Sequence, residues 1–437
     1  MNHCSLWYVT TLLLVLLIAG EPACGFTPAQ FSNLTTPQWE MVVESPPFCP
    51  PFPPPGLDQN IEKISSGDIR ELLWYVRNSA PHTTLLLEDG VYRFQHGAYL
   101  EIAVPWLTIR SASGKREGVV LDGGGHNVTV SANGLTIADL TLRGAEFHGV
   151  QIQGNLGVSY TRIYNVHVMD SGQQLIKVST GDGKSGRFAD NGLLACSLLE
   201  YTTHSKGTSI SSPSYTNGID ILAGKAWVVR DNVFRRIRSQ AGPAGPAILV
   251  WKNSMNTEIR RNRIVDCWRG IALGLMAPND YSRGGAAVIY DHQNGVVENN
   301  VILALHEPAD AAIENSYAKN SLVRHNTVFY NPDLKHAVNW SIEYRFPPTS
   351  VVIQNNLTNL PILKRSPLPT KNAMEQGNVT TAKVSWFRDI LEEDVHIVQG
   401  SYPIDRGICG VQPNRDIDGI GSVIGSVPDV GAQEFEN

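Results

Sequence analysis

VVRDNVFRRI (228–237), EIRRNRIVDC (258–267), VVENNVILAL (296–305) and LVRHNTVFYN (322–331) repeat one short pattern: an apolar residue, two that vary, a polar or small one, then apolar again. Working outward, the pattern recurs eight times, with first positions at Ile137, Ile163, Leu194, Val229, Ile259, Val297, Val323 and Ile353. Five residues later come Leu142, Val168, Leu199, Phe234, Ile264, Ile302, Val328 and Thr358. The first positions are 26, 31, 35, 30, 38, 26 and 30 residues apart, a period with insertions, and a period in this range indicates a solenoid. The runs are short and β-branched, so they are strands. Second strand-like runs follow: GVQIQ (149–153), LIKVS (175–179), GIDIL (218–222), AILVW (247–251), GIALGL (270–275) and AAIEN (311–315). One coil therefore holds at least two strands, and stacking coils about 4.8 Å apart buries a continuous core.

In the last five copies the fourth residue is asparagine: Asn232, Asn262, Asn300, Asn326 and Asn356. A turn preference alone does not hold one position so strictly, so these residues are expected to form a hydrogen-bonded ladder between coils. Before the repeat, Ser66 precedes DIRELLWYVRNSA (68–80), where Ile69, Leu72, Leu73 and Val76 share one helical face. An amphipathic helix there, capped by Ser66, is what covers the open end of a solenoid. The fold class is thus all-β, a single-stranded parallel β-helix with an N-terminal capping helix.

After that helix come LLLEDGVYRF (85–94), LTIRSAS (107–113) and VVLDGGG (119–125), and the chain closes with IDRGICG (404–410), NRDIDGIGS (414–422) and PDVGAQEFE (428–436). From residue 61 to 437 this resembles secreted right-handed parallel β-helix proteins of the pectin-lyase fold, including the chondroitinase B and alginate lyase group. The resemblance implies right-handed coiling, a polysaccharide partner and, in the lyases, a lysine base with arginine or Ca²⁺ neutralising a uronate carboxylate. It does not choose an activity, because one frame hosts lyases, hydrolases, epimerases and noncatalytic binders.

The remaining boundaries follow from composition. The apolar run TLLLVLLIAG (11–20), followed by small residues, has the length of a signal-peptide core, so residues 1–25 are expected to be a secretory signal. Residues 26–60 are a proline-rich segment (PPFCPPFPPPG at 46–56), residues 61–400 the β-helix and residues 401–437 a C-terminal cap. The expected product is a secreted monomer, extracellular or periplasmic, with no membrane span in the mature chain. A net charge of -6 and pI near 6.1 argue against a general nucleic-acid binder. Sequons at Asn33, Asn127, Asn339 and Asn378 are glycosylation candidates, while Asn356 should be buried in the ladder. Cys49, Cys196, Cys267 and Cys409 lack metal-site spacing and are expected as buried free thiols.

Aligning the second strands places outward residues in columns: Gln151, Lys177, Asp220, Leu249, Ala272 in one, and Gln153, Ser179, Leu222, Trp251, Gly274 in the next. Lys225, Lys252 and Arg269 adjoin these strands, and Glu314, Glu343 and Arg345 extend the same side. Abstraction of the proton α to a carboxylate needs a base and a cation, so Lys177, Asp220, Lys225, Lys252 and Arg269 are the catalytic candidates, with Trp251, Glu314, Glu343 and Arg345 binding substrate. Against this stands a plain surface pair of Lys177 with Asp220, worth at most about 1 kcal/mol. Asp220, Glu314 and Glu343 are the raw material for hydrolysis by paired carboxylates, but no close aspartate pair shares a strand position. Asp182 and Asp190 are the candidates for Ca²⁺, although carboxylates in a glycine-rich turn are more often local hydrogen-bond acceptors. Insertions at 180–192, 202–217, 276–293 and 331–349 are expected to wall a groove. The expected function is β-elimination on a uronate-containing polysaccharide; the alternatives are a noncatalytic carbohydrate- or surface-binding protein and a glycoside hydrolase or epimerase.

Overall fold

Each copy of the pattern is a strand, a sharp bend and a second strand. Thr136–Ala138 and Thr141–Arg143 flank the first bend, and Glu258–Arg260 and Arg263–Val265 a later one. The residue just before the fourth position has φ between 50° and 60° in all eight copies: Asp139, Asn165, Cys196, Asp231, Arg261, Asn299, His325 and Asn355. Left-handed backbone is uncommon for side-chain-bearing residues, so the bend needs support from outside itself. A third strand, such as His148–Ile152 or Arg269–Leu273, completes each turn. The chain forms a right-handed parallel β-helix, seen in a computed structural model that describes residues 49–56, 60–202, 215–240, 242–366, 372–410, 413–421 and 423–436. Its faces are parallel sheets of 12, 10 and 10 strands, here called A, B and C in the order the chain meets them within a turn. The register is strict, with Ile259, Val297, Val323 and Ile353 stacked inward in sheet A.

The asparagine ladder supports the bend. The backbone N–H and Nδ2 of Asn262 both donate to Asn300 Oδ1, at 3.0 and 2.9 Å, and Nδ2 also donates to the Val229 carbonyl at 2.9 Å. The same linkage runs from Asn232 through Asn326 and Asn356 to Asn378. Ser197 extends it the other way, its N–H donating to Asn232 Oδ1 and its Oγ accepting from Val166 N. Asn378 belongs to a ninth copy, just beyond the strand Asn372–Gln376. Asn356 is fully buried, as the ladder requires.

Two sequons are engaged in the fold: Asn127 is fully buried with Nδ2 donating to the Gly123 and Arg143 carbonyls, and half-buried Asn378 donates from Nδ2 to the Ile353 carbonyl. Asn339 is exposed, and Asn33 lies outside the described residues.

The ends differ in detail from expectation. The helix spans Ile69–Asn78 with Leu72 and Val76 buried, but its cap is Asp68, whose Oδ1 accepts from Arg70 N and Glu71 N. Ser66 instead donates to the Asp89 carbonyl. The described part of the proline-rich segment, residues 49–56, lies on the domain. Cys49 is disulfide-bonded to Cys196, correcting the free-thiol expectation; Cys409 is disulfide-bonded too, and Cys267 is a buried free thiol. Tyr164 donates to the Pro50 carbonyl at 2.5 Å and Arg110 to the Pro53 carbonyl at 2.6 Å, so the segment is held across several coils.

The segment after residue 400, expected to cap the end, packs along the outer face of sheet B. Ile417, Val430 and Ala432, with Phe387, Ile390 and Val395, pack on Val301, Leu303, Phe329 and Leu357, outward residues of sheet B. Those strands are apolar on both faces and need a cover. The covering segment is pinned by buried carboxylates: Glu434 accepts from Ile424 N and Asp429 N, and Asp416 from Asp418 N, Ile420 N and Glu434 N.

Two outcomes are expected. Asn262→Leu leaves buried backbone groups unpaired and should destabilise by about 2–4 kcal/mol, read as a lower Tm. Burial drives the Glu434 carboxyl up to about 8 and the Asp416 carboxyl up to about 6. The folded chain binds these protons more tightly than the unfolded one. The stability they contribute is complete below about pH 4 and is lost as pH rises through about 6 and then 8. The urea midpoint should therefore fall between pH 5 and 8.5, and fall less in Glu434→Gln.

Candidate functional site

Sheet C carries the residues singled out from sequence. Gln151, Lys177, Asp220, Leu249 and Ala272 are register partners on successive strands, and the column continues to Glu314 and Glu343. Leu222 and Trp251, then Ser316 and Arg345, are partners in the adjacent column. Glu314 and Glu343 thus form a neighbouring carboxylate pair, made of glutamates where no aspartate pair shares a strand position.

Lys177 is only 7% exposed and Asp220 only 2%, so their contact is not the weak surface pair considered above. Lys177 Nζ stands 2.5 Å from Asp220 Oδ2, and Asp220 Oδ1 accepts from Trp251 Nε1 at 2.8 Å. Tyr215 lies beside them, its ring centre 5.1 Å from Lys177 Nζ. Burial alone would lower the Lys177 ammonium, but Asp220 and Tyr215 outweigh it and hold the group above the usual lysine value.

Lys252 is placed differently. It follows Trp251 with φ 63°, a left-handed residue whose N–H donates to Asp291 Oδ1 at 2.9 Å. Its Nζ is 3.5 Å from Met276 Sδ and 4.3 Å from the centre of the Trp251 ring, and the residue is 5% exposed. Among the described residues no carboxylate forms an ion pair with it. Burial pushes the ammonium below the usual lysine value, Asp291 and Asp220 offset part of this, and Lys177 adds to it. Trp251 therefore connects the two lysines, bonding Asp220 by its N–H and underlying Lys252 by its face.

The other candidates form a separate network. Arg269 Nε bonds Asp310 Oδ2 at 2.7 Å and its Nη1 is 3.8 Å from Glu314 Oε2. Arg345 bonds Glu314 and approaches Glu343 Oε1 at 3.6 Å. Glu343 also takes Arg365 at 3.1 Å and Trp340 Nε1 at 2.7 Å. Burial, then Glu314, raises the Glu343 carboxyl, against Arg345 and Arg365. Lys225 joins neither group: it is exposed on a turn, with its N–H on Asp190 Oδ1. Asp310, Arg365, Asp291 and Tyr215 carry no signal in the sequence because they sit in insertions or turns that have no period.

Two of the four insertions follow sheet C strands and interlock. Gly183 N donates to Asp280 O, Gly284 N donates to Gly183 O, and a Cβ on Gly183 would lie 1.8 Å from Ser282 O. Arg283 lies 3.9 Å over the Phe188 ring and pairs with Asp190. Most of the 202–217 insertion, residues 203–214 with His204, lies outside the described residues. Asp182 accepts only from its own loop, at Lys184 N, and among the described residues no group of three or more His, Cys, Asp and Glu is placed to hold a metal ion. Nor, among them, is any helix long and apolar enough to cross a membrane.

No protein-family model matches the sequence, and no curated protein matches it. Solved structures do. The chain is similar to pectate lyase Pel9A, with 12% identity and TM-score 0.55 over 86% of this chain and 97% of that one. It also matches an alginate lyase from Paenibacillus sp. str. FPU-7, at 18% identity and TM-score 0.41, over 62% of this chain and 93% of the other. The shared property is the fold, a right-handed parallel β-helix of the pectin-lyase type.

Truncating one member of a buried pair strands the other charge. Asp220→Ala should cost about 3–5 kcal/mol in urea denaturation, whereas Lys177→Met with Asp220→Leu should come close to wild type.

Proposed function

We propose that the protein is secreted and cleaves a uronate-containing polysaccharide by β-elimination, with Lys252 as the base. The observation that supports this is a buried ammonium whose contacts are a thioether and an indole, and whose proton affinity burial has lowered. A base for carbon acids works best when its neutral form is accessible near the operating pH. Neutral Lys252 takes the proton α to the carboxylate, the C4=C5 bond forms as the C4–O bond breaks, and the leaving oxygen takes a proton from water. Lys252 then returns its proton to solvent. Lys177, held cationic by Asp220, supplies positive charge next to the developing enolate. Trp251 fixes both lysines, and Lys225 on the exposed turn is a peripheral contact.

A noncatalytic carbohydrate-binding role is the second reading. It is favoured by the way Arg269, Asp310, Glu314, Arg345, Glu343 and Arg365 satisfy one another, as a structural network does. The neighbouring Glu314 and Glu343 keep hydrolysis as a third product class to be assayed.

The test is incubation with alginate, polygalacturonate, chondroitin, dermatan and heparan sulfates, following unsaturated-uronate absorbance and reducing ends together, with and without chelator. Elimination gives both signals, and hydrolysis gives reducing ends alone. Lys252→Ala should lower the elimination rate by at least about 10²-fold, the scale of a lost general base. The rate should rise with pH to a plateau reached below an ordinary lysine's value of about 10.4. Retention on polysaccharide without any product favours the binding reading. N-terminal sequencing of protein from the medium tests the removal of residues 1–25.

A further inference from the structure

The outward face of sheet C is closed at one end and open at the other. Toward the C-terminal end the central column is covered throughout: Leu249, Ala272, Glu314 and Glu343 are 4%, 0%, 2% and 0% exposed. In the adjacent column Gly274 and Ser316 are buried as well, and Arg345 Nε donates to Ser316 Oγ. Toward the N-terminal helix the face changes character. Glu101, Thr129 and Gln151 continue the column beyond Lys177, and Glu101 and Gln151 are partly exposed, while Thr129 is shielded.

Beside them runs a row of polar groups already bonded to one another. Gln153 Nε2 donates to Ser131 Oγ at 3.2 Å, and Ser131 Oγ to Glu101 Oε1 at 3.2 Å. On the opposite margin are aromatic rings. Tyr99 and Phe147 are 44% and 42% exposed and bracket His126, at ring-centre distances of 6.4 and 5.7 Å. His126 stacks on His148, on the strand whose Gln151 is the register partner of Lys177, so this patch adjoins the lysine site.

We infer that this face is a sugar-binding subsite and that a polysaccharide runs from the Lys177 and Lys252 site toward the N-terminal helix, not toward the C-terminal end. The inference rests on the polysaccharide reading above and adds a direction to it. An aromatic margin facing a polar row suits a pyranose, which offers C–H groups on its ring face and hydroxyls at its edge. The three coils beyond Lys177 provide about 14 Å of track at the strand spacing. The few charges there suit neutral contacts to sugar hydroxyls, and the lysines are left to meet carboxylates.

The experiment measures binding of polygalacturonate, alginate and chondroitin sulfate by affinity electrophoresis, with Lys252→Ala as the background so that no product forms. Tyr99→Ala with Phe147→Ala should weaken binding of whichever polymer is retained by at least about tenfold and leave Tm unchanged, because both rings are exposed. Trp106→Ala with Tyr160→Ala, which alters an exposed aromatic pair elsewhere on the surface, should bind as the background does. Undiminished binding by the Tyr99 and Phe147 variant, or loss in the Trp106 and Tyr160 variant alone, overturns the direction and leaves the elimination reading standing. Lost binding in the first variant with no unsaturated product from wild type sinks elimination and keeps the subsite. If wild type binds none of the polymers, both fall.

Discussion

A left-handed residue in every turn is the constraint on which the rest of this molecule depends. Asp139, Asn165, Cys196, Asp231, Arg261, Asn299, His325 and Asn355 each lie at the bend that leads the chain from sheet A into sheet B. Isolated, such a bend is costly for residues with side chains and leaves its backbone N–H groups unpaired. In the last five the buried asparagine that follows meets that need, accepting from the preceding coil's backbone and side-chain amides and donating to carbonyls in turn, and Ser197 joins the same linkage. Each of these bends is thereby stabilised by its neighbours, which makes the stack cooperative and helps keep the strands in register.

That regularity positions the candidate site. Parallel register places one outward side chain from each coil in a line, so Lys177 meets Asp220, and further along the same line Glu314 meets Glu343, although each pair is far apart in sequence. Flanking residues then decide what each does. Trp251 and Tyr215 enclose Lys177 with a carboxylate, whereas Lys252, one position beyond Trp251, is enclosed with sulfur and indole. Two lysines in one site are pushed in opposite directions, the pattern expected where one group carries charge and the other accepts a proton.

The molecule is also held along its length by segments that are not part of the solenoid. The proline-rich arm is tied to Cys196, Tyr164 and Arg110, and the C-terminal segment covers the outer face of sheet B through apolar contacts and buried carboxylates. Both cover surfaces that a repeat alone leaves exposed. Sheet A retains an outward polar pair at Arg110 and Asp139 beneath the arm, and sheet B outward Val301, Leu303 and Phe329 beneath the tail.

The sequence by itself determined the solenoid, its period, the ladder and the outward column, because each rests on a residue type recurring at a fixed place. It also placed the helix, from its apolar face. Tertiary structure alone decided the rest. The division of each repeat run between sheets A and B leaves strands too short to show a period, as at Glu258–Arg260 and Arg263–Val265, and the left-handed bend is occupied by Asp, Asn, Cys, Arg and His alike, so no residue type marks it. Cys49 meets Cys196 because the arm lies along the coils, a path that no repeat encodes. The burial of Lys177 and Glu343, and the difference between Lys177 and Lys252, depend on Tyr215, Met276, Trp340 and Arg365, which come from aperiodic insertions and turns. Local periodicity specifies which way a side chain points, but only the packing of distant segments specifies what surrounds it and hence its charge.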